Sequence, residues 1–166
     1  MTVKMKSSLF GEIEYDVADV YTFEQGFPGF PEQKQFVLLQ VEESPFTVMH
    51  SIQEDLHFFL IDPFSLFVNY EFAIPDYALE QLDIKKREDV ISYSVAVLRE
   101  PLTDSTVNMV APVIFNTANR KAMQLVLENT RYSVRQPIFL PQEQAGDSRE
   151  NADAHRAKSG ISKGGR

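Results

Sequence analysis

Residues 108–127 read N-M-V-A-P-V-I-F-N, then T-A-N-R, then K-A-M-Q-L-V-L. Two apolar runs rich in β-branched residues flank a short polar segment, which predicts two strands joined by a tight turn. Around this pair the chain offers little that does chemistry. It has no cysteine, no tryptophan and no glycine-rich phosphate loop. The reading is of a β-rich protein that works by binding.

The rest of the body repeats the same grammar. Thr2–Ser7 alternates, and residues 12–15 alternate again after Gly11. Short strands are predicted at 20–23, at 36–41 as an apolar run buried on both faces, and at Phe46–Ser51 and 58–62, which pair across a polar Q-E-D turn. Residues 90–98 form the longest candidate, with Ile91, Tyr93, Val95 and Val97 on one face. Strands at 106–116, 121–127 and 132–134 follow. One helix is predicted over 75–82, with Asp76 as N-cap and Leu79 and Leu82 on its apolar side, and a further helical turn at 85–89. Many short strands with one or two short helices predict a mostly β protein, a small closed or partly open antiparallel barrel or sandwich.

At 166 residues the chain holds one domain. Thirteen phenylalanines within 43% apolar residues supply one aromatic core. The predicted folded body spans 1–141. The remainder, 142–166, is polar, with Ile161 its only large aliphatic residue, and is expected to be disordered because it buries too little to offset the ordering entropy. The absence of cysteine fits a reducing compartment. With no apolar run near the ~18–20 residues needed to cross a bilayer and no signal-like N-terminus, a soluble, cytoplasmic protein is expected. Net charge is −8, and residues 1–141 carry 11 Lys+Arg against 20 Asp+Glu. Such a body repels phosphate backbones, so direct nucleic-acid binding is not expected; it attracts basic surfaces.

No catalytic residue, metal site or cofactor is expected. His50, His57 and His155 show neither H-x-H nor H-E-x-x-H spacing, so a metal site would need distant carboxylates. No G-x-S-x-G surrounds a serine. The carboxylate pairs Glu42-Glu43, Glu54-Asp55 and Glu88-Asp89 fall at predicted turns or helix ends, where solvated charge is ordinary.

Three segments are candidates for contact with a partner. Gly26-Phe27-Pro28-Gly29-Phe30-Pro31 is stiff and fixes the directions of Phe27 and Phe30, either as plugs for one end of a barrel or as an aromatic lip. In 67–72, Pro63 upstream argues for an edge strand or loop. Alternation there sets Phe67, Asn69 and Glu71 against Val68, Tyr70 and Phe72. In 121–127, Met123 is a gap filler or an adaptable contact.

With these residues in place, the chain resembles the FliW flagellar assembly factor family over about residues 3–140. The resemblance rests on G-F-P-G-F at 26–30, the strand at 58–63 ending in Asp-Pro, Tyr70, the 108–116 segment with Ala111-Pro112, Gln124, and Y-S-V-R-Q-P at 132–137. The polar tail beyond Pro141 is not required by the family pattern. The resemblance implies a β-barrel-like protein without enzyme activity and with two partners. These are the RNA-binding translational regulator CsrA, a dimer, and flagellin. It implies non-competitive relief of CsrA repression of flagellin mRNA, with flagellin as the alternative partner. The expected partner surface joins Tyr70, Glu71 and Phe72 with Asn119, Arg120 and Met123, and Phe27 and Phe30 are weaker members. The alternatives are a small-ligand-binding barrel, a flagellin chaperone with no CsrA role, and a hydrolase built on dispersed carboxylates.

Overall fold

The computed structural model describes residues 1–139. The predicted disorder of 142–166, and the body's end at Pro141, lie outside the described residues.

Two strands open the chain as a separate hairpin, β1 (Thr2–Ser7) and β2 (Gly11–Asp16), in the register Ser7↔Gly11 to Thr2↔Asp16. Its loop is closed by the Ser7 hydroxyl, which accepts from the amides of Leu9 and Phe10 at 3.1 Å each. Gly11 follows at φ +83°, a backbone state that favours glycine.

The main sheet closes on itself. Its strands are β3 (Tyr21–Thr22), β4 (Gln35–Gln40), β5 (Phe46–Ser51), β6 (His57–Ile61), β7 (Val90–Val97), β9 (Val113–Asn116) and β10 (Lys121–Gln124). They follow the spatial order β7-β6-β5-β4-β3-β10-β9, and β9 returns to β7 through Val90↔Asn116 to Tyr93↔Val113. The result is a seven-stranded barrel. Every ladder around it is antiparallel except the short parallel contact Lys121↔Thr22 between β10 and β3. Beyond the point where β9 leaves it, β7 pairs through Ala96 and Val97 with β8 (Thr106–Val107), which in turn carries β11 (Gln136–Pro137).

The barrel is filled by aromatic rings. Phe23, Phe27, Phe36 and Phe115 are buried in one cluster, with edge-on contacts such as Phe23–Phe36 at 5.4 Å between ring centroids. Each such side chain contributes roughly 1.5–3 kcal/mol by leaving water. A second cluster, built around Phe46, Ile61, Tyr70, Val107 and Met109, packs where β7 and β8 meet. A third lies under the helix α2 (Asp76–Gln81), where Ala78 and Leu82 meet Ile114 and Leu125.

The strand pair over 108–127 forms as β9 and β10, with Asn116 opposite Lys121 across the T-A-N-R turn. Several expectations are corrected. The run 106–116 is two strands, because the Asn108 carboxamide oxygen accepts from the amides of Val110 (2.9 Å) and Ala111 (3.1 Å) and bends the chain between them. The strand buried along its whole length is β5 rather than 36–41, since the N-terminal hairpin covers part of its outer face. No strand forms at 132–134; pairing resumes only at β11. Asp76 lies inside α2 and Pro75 is its N-cap, so the carboxylate faces the helix dipole from the first turn. Finally, of the edge strand or loop expected at 67–72, the loop forms. A short helix α1 (Pro63–Leu66) precedes it, capped by the Asp62 carboxylate on the Phe64 amide at 2.9 Å, and the chain then runs irregularly. The alternation fails there: Val68 is exposed while Tyr70 is buried.

Candidate interaction surface

The segment after α1 is shaped by one tyrosine. Tyr70 is 1% exposed, and its hydroxyl donates to the Met109 carbonyl at 2.9 Å. Its ring packs on Tyr132 at 4.7 Å and on Phe64 and Phe72 at 5.5 Å each. Burial pushes the phenol well above its ordinary pKa. The chain is thus pinned at 70 and leaves the body at 71. There the Tyr132 hydroxyl accepts from the Glu71 amide (3.0 Å) and donates to the Glu71 carbonyl (3.1 Å). With both backbone groups held, the exposed Glu71 side chain is presented outward.

Glu71, Phe72 and Ala73 form a ridge between two open grooves that they line together. The first, of about 1160 Å3, is lined by the apolar Phe64, Ile74, Val90 and Ile91 and by the charged Asp62, Glu71, Lys85 and Lys86. The second, of about 610 Å3, runs between Pro75 and Tyr77 on one side and Val126 and Tyr132 on the other. An apolar floor with a charged rim is the anatomy of a protein-binding surface.

The predicted contact residues fall in several places. Glu71 and Phe72 stand on the ridge. Met123 is half-buried and shares the cluster beneath α2 with Phe72. Asn119 and Arg120 line neither of these grooves and occupy the turn between β9 and β10. Asn119 donates to the Leu82 carbonyl at the end of α2 (3.0 Å). Arg120, at φ +63°, donates to the Tyr21 hydroxyl (2.8 Å), lies over that ring at 5.0 Å and approaches Asp19 at 3.6 Å. Tyr70 is in the core, so it positions the ridge and presents no surface of its own.

Phe27 and Phe30 lie apart from these, in the 26–31 loop. Phe27 is buried against Phe23, Phe36 and Phe58 as a plug, whereas Phe30 is 40% exposed and rests on Phe58 at 5.4 Å. A groove of about 270 Å3 opens beside them, bounded by Val95, Val97 and Gln124. The loop needs Gly26: a Cβ there would lie 2.2 Å from the Pro31 carbonyl oxygen.

Two exposed apolar side chains that the sequence reading did not single out, Tyr77 and Val126, face the second groove. Tyr77 carried a usable signal, being a large aromatic on the solvent side of a short helix. Among the described residues no helix is long and apolar enough to cross a membrane.

Comparison with known proteins places this geometry. The model of the FliW protein family matches residues 4–138. The flagellar assembly factor FliW of Geobacillus sp. (strain WCH70) is 41% identical over 138 residues, covering 82% of this chain and 96% of that protein. The one from Oceanobacillus iheyensis is 36% identical over 147 residues, covering 87% of this chain and all of the relative. A crystal structure of the flagellar assembly factor FliW superposes with a TM-score of 0.80 at 40% identity, covering 84% of this chain and 99% of that one. The barrel, the ridge-forming segment and the aromatic loop all lie within the matched span, and the chain belongs to the FliW family of flagellar assembly factors.

Proposed function

We propose that this chain is a cytoplasmic, partner-switching antagonist that binds CsrA, relieves its repression of flagellin mRNA without competing for the RNA-binding surface, and is withdrawn from CsrA when flagellin binds. Membership of a family of flagellar assembly factors supports the process. The observation that carries the choice of surface is the Glu71–Phe72 ridge, rigid at its backbone, acidic at its tip and flanked by two apolar-floored grooves. An acidic body speeds encounter with a basic RNA-binding partner and keeps RNA phosphates away from the complex.

A ligand-binding barrel is disfavoured by the filling of the barrel: Phe36, Met49, Leu60 and Phe115 are fully buried along its interior. The grooves described above lie outside it and are open.

The function is tested by translation of flagellin mRNA in a reconstituted system repressed by CsrA. Adding the chain restores flagellin synthesis, and adding excess flagellin protein removes the relief. Repression that persists at saturating chain rejects the antagonist reading and leaves flagellin chaperoning as its successor.

A further inference from the structure

The turn between β5 and β6 brings together three side chains that the sequence spacing kept apart. His50 and His57 are directly opposite across the strand pair, with imidazoles stacked at 5.8 Å and 25°. Asp55 rises from the turn, and its carboxylate lies 3.6 Å from His50 Nε2. One ring nitrogen of each histidine and one Asp55 oxygen all lie within 4.8 Å of one another. The expectation that a metal site would need distant carboxylates is thereby corrected: the carboxylate comes from the same hairpin.

The hydrogen bonds set the donor atoms. His50 Nδ1 is 2.8 Å from the Ser51 carbonyl, which can only accept, so Nδ1 carries the proton. The Ser7 hydroxyl spends its acceptor capacity on the amides of Leu9 and Phe10, so it donates to His50 Nε2 at 2.9 Å. Nε2 therefore holds the lone pair, which accepts from Ser7, with the Asp55 carboxylate beside it at 3.6 Å. An imidazole whose far N–H is fixed on a backbone carbonyl is the usual form of a metal-ligating histidine. Asp55 is oriented too, its two oxygens each accepting from the Ser8 amide at 3.1 Å. The third member is incomplete: His57 Nδ1 is buried with no hydrogen-bond partner, and such orphaned polar atoms call for a cause.

We propose that His50, Asp55 and His57 form a binding site for a single divalent cation of the zinc class, which clasps the N-terminal hairpin onto the barrel. Two imidazoles and one carboxylate suit Zn2+, Co2+, Ni2+ or Cu2+ rather than Mg2+ or Ca2+, which take oxygen donors. Bonds of about 2.0–2.2 Å around a tetrahedral ion hold its donors about 3.3–3.6 Å apart. The His50–Asp55 pair already stands at that spacing, and the widest gap closes by side-chain rotation of roughly 1 Å. A cation at His50 Nε2 takes the lone pair that now accepts from the Ser7 hydroxyl and displaces that bond, while the Ser8 amide keeps its bonds to Asp55, so a cation that fixes Asp55 also fixes the β1–β2 hairpin.

The test is titration of the full chain with Zn2+ by calorimetry, and with Co2+ as a spectroscopic probe. One equivalent is expected to bind, with d–d bands of a low-coordinate nitrogen–oxygen site and a raised melting temperature. His57→Gln and Asp55→Asn each weaken Zn2+ binding by more than about tenfold, the scale set even by outer-shell partners. His155→Ala, in the tail, leaves it unchanged. Asp55 is exposed, so Asp55→Asn reports on the site even where a histidine variant fails to fold. No saturable binding, or binding that survives Asp55→Asn and His57→Gln, overturns the proposal.

Discussion

The hydroxyl of Tyr132 serves both backbone groups of Glu71, accepting from its amide at 3.0 Å and donating to its carbonyl at 3.1 Å. A single side chain thus satisfies, at one residue of an irregular segment, both backbone groups that a neighbouring strand would otherwise pair. The ridge that results is pre-organised, so a partner would not bear the ordering entropy of that loop.

The first prediction concerns charge on the ridge. Glu71→Lys changes an exposed side chain and leaves the Tyr132 clamp in place. CsrA affinity is expected to fall several-fold with the melting temperature nearly unchanged, as read by calorimetry and thermal melting. Equal affinities for the two proteins would remove Glu71 from the contact.

The clamp itself is tested by Tyr132→Phe. The ring keeps its packing on Tyr70, but two hydrogen bonds are lost. Stability should fall by about 1–2 kcal/mol in urea unfolding, and CsrA should bind more weakly through the loosened ridge. A variant as stable as the parent, with parental affinity, would show that the hydroxyl positions nothing.

How far the sequence was legible can be judged from these same residues. The β9–β10 pair was readable because Val113 to Phe115 and Lys121 to Gln124 alternate or run apolar on either side of a polar turn. In 67–72 the loop alternative is the one that forms while the alternation fails, because such a pattern also occurs in a chain pinned by one buried ring, and no local signal says that the Tyr70 hydroxyl will reach Met109, 39 residues away. Asp62-Pro63 breaks the strand and also carries a helix-start signal, an N-cap acid before a first-turn proline. Of the contact residues, Glu71 and Phe72 share the ridge, whereas Asn119 and Arg120 are drawn away to Leu82 and Tyr21 by hydrogen bonds that depend on tertiary structure. The His50–Asp55–His57 cluster was invisible for the same reason: its spacing becomes meaningful only once the β5–β6 register is known.

Tyr70 makes a prediction about alkaline pH. Its folded-state pKa is raised, chiefly by burial, above the ordinary value. The folded state therefore keeps this proton more tightly than the unfolded chain. The resulting stability is complete below the unfolded phenol pKa of about 10 and is lost as pH rises beyond it. Phenolate absorbance during a pH titration should show tyrosines that ionise only late, and Tyr70→Phe should remove one of them. An unchanged late fraction would mean that Tyr70 is not the buried phenol.

The aromatic loop separates two glycines. Gly26 is at φ +81° with Pro31 against the missing Cβ, whereas Gly29 is at φ +90° in open space. Gly29→Ala should cost about 1–2 kcal/mol from the left-handed backbone alone. Gly26→Ala should cost clearly more in urea unfolding, because the backbone of Pro31 must also move. Equal costs would contradict the close approach.

Steering by the acidic body is tested by ionic strength. Raising salt from low to physiological levels should slow CsrA association in stopped-flow measurements while changing dissociation little. An association rate indifferent to salt would reject the electrostatic contribution.

The partner-switching claim is tested most directly by titrating CsrA into the purified chain by calorimetry, once alone and once with flagellin already bound. The account predicts saturable binding in the first case and its abolition in the second. Absence of heat and of co-elution with CsrA, or CsrA binding undiminished by flagellin, would contradict it.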